Sequence, residues 1–175
     1  MKPRLRKFAL TVHVTASVGW FGAVAAFLAL AVTGLTSDDT PMARAAYLAM
    51  DITTRFAIVP FALASLLSGI VQSLGTPWGL LRHYWVLLKL VITLLTALLL
   101  LVHTIPIGML AHSARAKPMS EAGVHHLQVQ MLADSVAALV ILLVTTALAV
   151  YKPFGLTRFG RRKLEEERAA AQPTS

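Results

Sequence analysis

Four long apolar runs constrain this chain more than any other feature. Residues 8–35 and 56–74 carry no formal charge. Residues 84–111 and 131–151 carry one each, Lys89 and Asp134, near their starts. A helix needs about 20 apolar residues to cross the roughly 30 Å hydrocarbon layer of a bilayer. The runs are rich in Leu and Ala and lack the alternation of barrel strands. The sequence therefore predicts an all-α fold, an integral membrane four-helix bundle.

Composition points the same way. Of 175 residues, 57% are hydrophobic and 14% charged, where soluble domains average about 25% charged. So little polar surface cannot cover a water-soluble globule of this size, and so much apolar sequence excludes disorder. The absence of cysteine excludes disulfides, thiolate metal sites, iron–sulfur clusters and cysteine nucleophiles. A net charge of +8 raises nucleic acid as a partner, but the charges sit at the chain ends and between the apolar runs. Membrane proteins distribute charge in this way for orientation, so the expected partner is the lipid bilayer and no nucleic acid is expected. No Gly-rich phosphate loop, His-Glu-x2-His zinc motif or Gly-x-Ser-x-Gly elbow occurs.

With the N-terminus inside, the outer side holds Arg44, Arg55, Arg115 and Lys117, and the other twelve of the 16 Lys and Arg lie inside. The positive-inside rule then places both termini in the cytoplasm, as in a multi-pass protein of a bacterial inner membrane. Tyr84, Trp85 and Tyr151 fall at the inner boundary, where aromatic belts form. The first run has a basic start, and Ala29-Leu30-Ala31 loosely resembles a cleavage site. It far exceeds the 7–15 apolar residues of a signal peptide, however, and is expected to be retained. Residues 1–155 read as one transmembrane domain, and 156–175 as a charged cytoplasmic tail, solvated or a short frayed helix. Gly75-Thr76-Pro77-Trp78-Gly79 marks a tight inner hairpin. The outer connections are Thr36–Thr54, whose stretch Ala43–Ile52 either extends the second helix or lies on the membrane surface, and His112–Val129, with Pro118 and Gly123.

Lipid supplies no hydrophobic drive between helices, so small residues spaced by four mark seams of close approach. Gly19 with Ala23, Gly22 with Ala26, and Ser65 with Gly69 fit, and Gln72 continues the last face. Ionisable groups within such helices cost about 2.5–3.5 kcal/mol each, so each is a functional candidate. By helical rise, His13, Gln72 and Lys89 lie roughly 13, 9 and 13 Å to the inner side of centre. His103 and Asp134 lie about 8 and 9 Å to the outer side, with His126 and Gln130 above. Lys89, Thr93, Thr96, Leu100 and His103 form one stripe of the third helix, expected to face the interior.

Each candidate has a plain structural reading beside it. Lys89 can snorkel to the interface, His13 can be a hydrogen-bonded interfacial histidine, and His103 with Asp134 can be an interhelical polar pair. His83, beside Arg82, is expected at the surface. His112, His125 and His126, with Met109, Met119 and Met131, crowd the outer side, and imidazole and thioether ligands suit copper.

The first helix reads His13-x6-Trp20-x-Gly22 with Ser17 between, and the third opens Trp85-x3-Lys89 and closes at His103. This pattern resembles a group of small bacterial membrane proteins. The group includes uncharacterised four-helix proteins, the membrane domain of copper-resistance D proteins, and the membrane-bound protoporphyrinogen oxidase of the haem b type. The uncharacterised proteins share Trp78-Gly79-x2-Arg82-His83-Tyr84-Trp85 and Tyr151-Lys152-Pro153-x-Gly155. Resemblance to the oxidase implies a b-type haem held by the first-helix histidine and the third-helix lysine, here His13 and Lys89. The histidine closing the third helix lies about one turn further from the lysine than in the oxidase pattern.

Three functional readings follow. In the first, haem b sits between the helices with His13 as axial ligand, Lys89 on a propionate or as second ligand, and His103 serving a second haem or metal site, for electron transfer or porphyrin oxidation. In the second, the chain is a non-catalytic scaffold or accessory subunit whose polar residues fix helix register. In the third, it handles or transports copper, which requires a homo-oligomer because four helices are few for a pore.

Overall fold

The computed structural model describes residues 2–75, 79–115, 121–153 and 155–171, with backbone alone for 121–124 and 171. The helices are α1 (Pro3–Thr36), α2 (Thr40–Thr53), α3 (Val59–Gly75), α4 (Tyr84–Arg115), α5 (Glu121–Tyr151) and α6 (Arg158–Ala171). A π-helical turn, Thr54–Ile58, joins α2 to α3 without a break. Its position has a chemical reason. Pro60 has no amide proton to continue the regular ladder, and the widened turn just before it closes with Val59 N–H on the Thr54 carbonyl.

Four rods, Pro3–Thr36, Thr40–Gly75, Tyr84–Arg115 and His125–Tyr151, are long and apolar enough to cross a membrane. Large apolar side chains such as Phe56, Leu67, Val102 and Ile105 face outward along them. Soluble monomers rarely expose apolar surface on this scale. Two connections differ from a simple loop reading. Ala43–Ile52 extends the second rod, and much of 112–129 is helical, through Arg115 and again from Glu121. The apolar run measures contact with an apolar solvent, whereas a helix continues until its backbone is capped or broken. Residues 76–78 of the expected hairpin, and 116–120 with Pro118 and Met119, lie outside the described residues.

α1 packs against the second rod and α5, and α4 packs against the same two. Each rod thus touches its neighbours in sequence, and the ring closes between the first and the fourth. The start of α1, the end of α3, the start of α4 and the end of α5 lie at one end, here the near end; the opposite ends of the four rods lie at the far end.

The two ends are built differently. The buried apolar cluster runs from Trp20 to Ala31 on α1 and from Ala43 to Ala62 on the second rod. It takes Ile107, Leu110 and Ala114 from α4 and Met131 and Leu142 from α5, so most of it lies in the far half. At its edge Tyr47, 1% exposed, donates its hydroxyl hydrogen to the Gly34 carbonyl and accepts one from Gln128 Nε2 at 2.5 Å. One phenol thereby clips three rods together. Among the expected seams, a Cβ at Gly19 would stand 2.9 Å from the Phe61 ring, so a side chain there would have to push that ring aside; at Gly22 it would meet nothing within 4 Å.

The tail is not loose over 155–171. Thr157 caps α6: its Oγ1 accepts from Gly160 N–H at 3.0 Å and donates to the Leu81 carbonyl at 2.6 Å. Leu156 bridges His83, and Arg82 meets Glu167 at 2.8 Å. His83, expected at the surface, is therefore half-buried beneath this segment.

Tyr47→Phe removes both hydrogen bonds and strands the Gly34 carbonyl and the Gln128 amide in a packed region. The expected loss is about 1–3 kcal/mol, read as a lowered Tm of the detergent-solubilised chain with the helical circular-dichroism spectrum unchanged below the transition.

Candidate functional site

The near half of the bundle encloses a cavity of about 850 Å³, half open, with walls from all four rods. This is inside the range of small-molecule and cofactor sites, about 300–1,000 Å³. His13 stands on its α1 wall. The Nδ1 of the imidazole lies 3.0 Å from the Ser65 carbonyl and 3.1 Å from Ser68 Oγ. A carbonyl only accepts, so Nδ1 carries the hydrogen. Ser68 Oγ in turn donates to the Ala64 carbonyl, which leaves its lone pair for Nδ1–H. With Nδ1 committed, the neutral ring presents Nε2 as an acceptor. Lys89 Nζ donates to it at 3.4 Å, a long contact.

The fit around the ring explains the local sequence. A Cβ at Gly69 would lie 3.1 Å from His13 Cε1, so the absence of a side chain there makes room for the imidazole. Ser65 is buried, and its hydroxyl meets Ser17 Oγ at 2.8 Å. Gln72 Nε2 donates to the Ala9 carbonyl at 3.0 Å, one turn before His13. Residues 65, 68, 69 and 72 form one face of α3, and this face positions α1 by its polar groups.

The charge on the cavity is one-sided. Arg6, Lys89 and Lys152 line it, and among the described residues no Asp or Glu does. The rest of the lining is mostly apolar, with Trp85, Val86, Leu90 and Leu143 among it. The arrangement offers an apolar slot, a directed imidazole nitrogen and cationic groups. That combination suits a flat or elongated apolar molecule with acidic groups and a metal or electrophilic centre.

The other polar layer occupies a separate, smaller cavity of about 110 Å³ in the far half. His103 Nε2 lies 3.0 Å from Asp134 Oδ2, and His103 Nδ1 lies 2.8 Å from the Leu99 carbonyl. Trp20, Thr54, Thr96, Met131 and Ser135 also line this cavity. The stripe on α4 does face the interior, but it is divided. Lys89 and Thr93 line the near cavity; Thr96, Leu100 and His103 line the far one.

The structure thus brings His13, Gln72 and Lys89 to one cavity and pairs His103 with Asp134 in another. The expected outer copper ligands are not gathered: His112, His125 and His126 are exposed, whereas Met131 is buried in the core. Among the described residues no group of three or more His, Asp or Glu can hold a metal ion. Sequence reasoning missed Arg6 and Lys152 as lining residues, although both lie within a turn of the apolar runs and carry the right charge. It also missed Ser65 and Ser68 as partners of His13; a serine in an apolar run gives no sign of which rod it faces.

No family model, curated protein or solved structure matches the chain. The geometry alone carries the reading that follows.

Because a backbone carbonyl fixes the His13 tautomer, Ser68→Ala is expected to leave it in place. Nitrogen-15 NMR of ring-labelled protein in detergent checks this. Both wild type and variant should show a protonated Nδ1 and an unprotonated Nε2 in the neutral His13 ring.

Proposed function

We propose that this chain is a polytopic membrane protein of the bacterial inner membrane, with both termini cytoplasmic, that binds a b-type haem in the near cavity. The single observation behind the haem reading is the orientation of His13. A histidine whose Nδ1–H is held by a carbonyl and whose Nε2, in only long contact with Lys89, lies on the wall of a cofactor-sized cavity is oriented as haem-ligating histidines are. The residues present fit the group in three further respects. The slot is largely apolar. Arg6, Lys89 and Lys152 supply cations for the two propionates. Lys89, as the cation nearest Nε2, is also placed to act as a second ligand in its neutral form. Bound haem supplies one-electron chemistry; the chain's own part is to orient the ligand nitrogen, exclude water with the apolar wall and balance the acidic groups. His103 belongs to the other cavity and has no part in this site.

The orientation rests on the charge count. The near end carries most of the Lys and Arg, together with Tyr84, Trp85 and Tyr151, as expected for a cytoplasmic face. The chain has no cysteine, so single introduced thiols report sidedness directly. Asp38→Cys, at the far end, is expected to react with a membrane-impermeant maleimide in intact spheroplasts. Arg162→Cys, in α6, should react only after the membrane is opened. The reverse pattern defeats the assignment.

A visible spectrum tests the haem. Protein purified in detergent from cells with ample haem supply should show a Soret band, and His13→Ala should lower bound haem per chain by tenfold or more. Absence of the band, or a spectrum unchanged in His13→Ala, rejects the reading. In that case His13 and Lys89 serve helix register in a scaffold or accessory subunit, and Lys89→Met alters stability only.

A further inference from the structure

The walls of the near cavity are not equally covered. Each lining residue from α3 and α4, Gln72 and Lys89 among them, is buried or half-buried. The exposed lining residues all belong to α1 and α5, among them Leu10, Val14 and Val18 on one side and Leu143 and Thr146 on the other. A residue that borders a cavity and also reaches the outside marks its mouth, so this cavity opens between α1 and α5.

The same two rods are closed in the far half. On α5, Leu132, Leu139, Leu143, Thr146 and Val150 share one helical face. Leu132 and Leu139 pack against the buried cluster, whereas Leu143 and Val150 are 56% and 69% exposed. α1 changes in the same way along the face of Leu10, Val14, Phe21 and Leu28. Leu28 is half-buried, while Leu10 and Val14 are 52% and 50% exposed. The mouth is therefore a parting of two intact rods over one half of the bundle.

Its length follows the layer around it. Arg6 to Phe21 is a helical rise of about 22 Å. Half of a bilayer with its headgroups is roughly 20–22 Å, from about 40–45 Å in all. Arg6 and Lys152 stand exposed at the near end of the mouth, and the lips below them at Val14, Val18 and Leu143 are apolar. A small water-soluble anion finds nothing along these lips, and an uncharged oil finds nothing at the cationic end. A molecule with an acidic head and a long apolar chain meets both.

We infer that the near cavity is entered sideways from the membrane, through the α1–α5 mouth, by a long-chain anionic amphiphile whose acidic head stays at Arg6 while its chain passes between Val14 and Leu143. Behind the lips the space continues past Ser17 to Lys89 and Thr93. That depth separates the mouth from a shallow groove filled by surrounding lipid. Entry of this kind presupposes that the rods span a membrane. It does not depend on haem, whose presence or loss is read separately by the Soret band.

The test uses the full chain in phosphatidylcholine nanodiscs, with a palmitate probe carrying a diazirine in mid-chain. After irradiation, adducts are expected on residues 10–21 of α1, 143–149 of α5 and 86–93 of α4, and excess unlabelled palmitate should displace them. Leu98, Val102 and Ile105, which face outward on α4, report ordinary lipid contact and should keep their adducts. Methyl palmitate, which lacks the acid, should displace far less than palmitate. Arg6→Gln should weaken the competition by palmitate about fivefold, the worth of one cation beside an anionic group at a membrane surface. Val14→Trp with Leu143→Trp narrows the mouth at two exposed positions, so the helical circular-dichroism spectrum should persist while adducts on 86–93 fall. Adducts that palmitate does not displace, or that are no denser at the mouth than at 98–105, mean surrounding lipid only and overturn the inference. So do equal displacement by methyl palmitate, competition unchanged in Arg6→Gln, and a mouth left unlabelled because a second copy of the chain covers it. A chain that does not enter the nanodisc defeats the membrane reading as well, whereas an incorporated chain without displaceable adducts defeats the sideways entrance alone. The wild-type labelling pattern decides the matter even where the double variant fails to fold.

Discussion

A polar group among apolar helices must find its partner inside the protein, because the surroundings offer none. Most hydroxyls here solve this locally. Thr33, Thr36, Thr54, Ser73, Thr96 and Thr146 each donate to the carbonyl four residues earlier, and so cost little and specify nothing about neighbours. The groups that cannot be satisfied within their own helix reach across to another rod. His13 reaches α3, Gln72 reaches α1, Tyr47 joins α1 to α5, and His103 joins α4 to α5. These few crossings fix the register of helices whose apolar surfaces alone would slide.

The crossings also mark where the bundle is more tightly filled and where it is more open. In the far half the rods are held by Tyr47 and by interlocked side chains, with Trp20, Met50, Leu110 and Met131 all nearly inaccessible. In the near half His13 ties α1 to α3, but α4 and α5 contribute a wall of smaller contact, and the space between is left as a cavity. The second rod is widened by its π turn and α4 holds Pro106 inside its length; both irregularities lie in the far half, beside its smaller cavity. A bundle tightened at one end and parted at the other can hold a ligand without giving up its fold, since the packing that holds it together lies elsewhere.

Much of this was legible in the sequence. The four apolar runs, the assignment of His13, Gln72 and Lys89 to one level and of His103 and Asp134 to another, and the inward stripe on α4 all follow from helical rise and periodicity, which a long helix obeys closely. Gly19 and Gly69 were readable as sites of close approach for the same reason. What periodicity does not encode is which rod lies opposite. Gly22 has the same signature as Gly19 yet faces no side chain, and nothing local says that Ser65 meets His13 or that Gln128 meets Tyr47. The extension of helix beyond the apolar runs was also hidden, because hydropathy reports the solvent and not the hydrogen-bond ladder. The docking of α6 depends on Thr157 and Arg82, which are distant in sequence and unremarkable alone.

The charge around the near cavity gives the strongest reason to regard it as more than a packing defect. Arg6, Lys89 and Lys152 border the same space, and among the described residues no carboxylate lines it. Arg6 and Lys152 are exposed at its near end, whereas Lys89 is half-buried beside His13. In the proposed reading an anionic, largely apolar occupant would set its acidic groups against these cations and its body against the apolar wall, and its approach to His13 Nε2 would displace the long contact from Lys89.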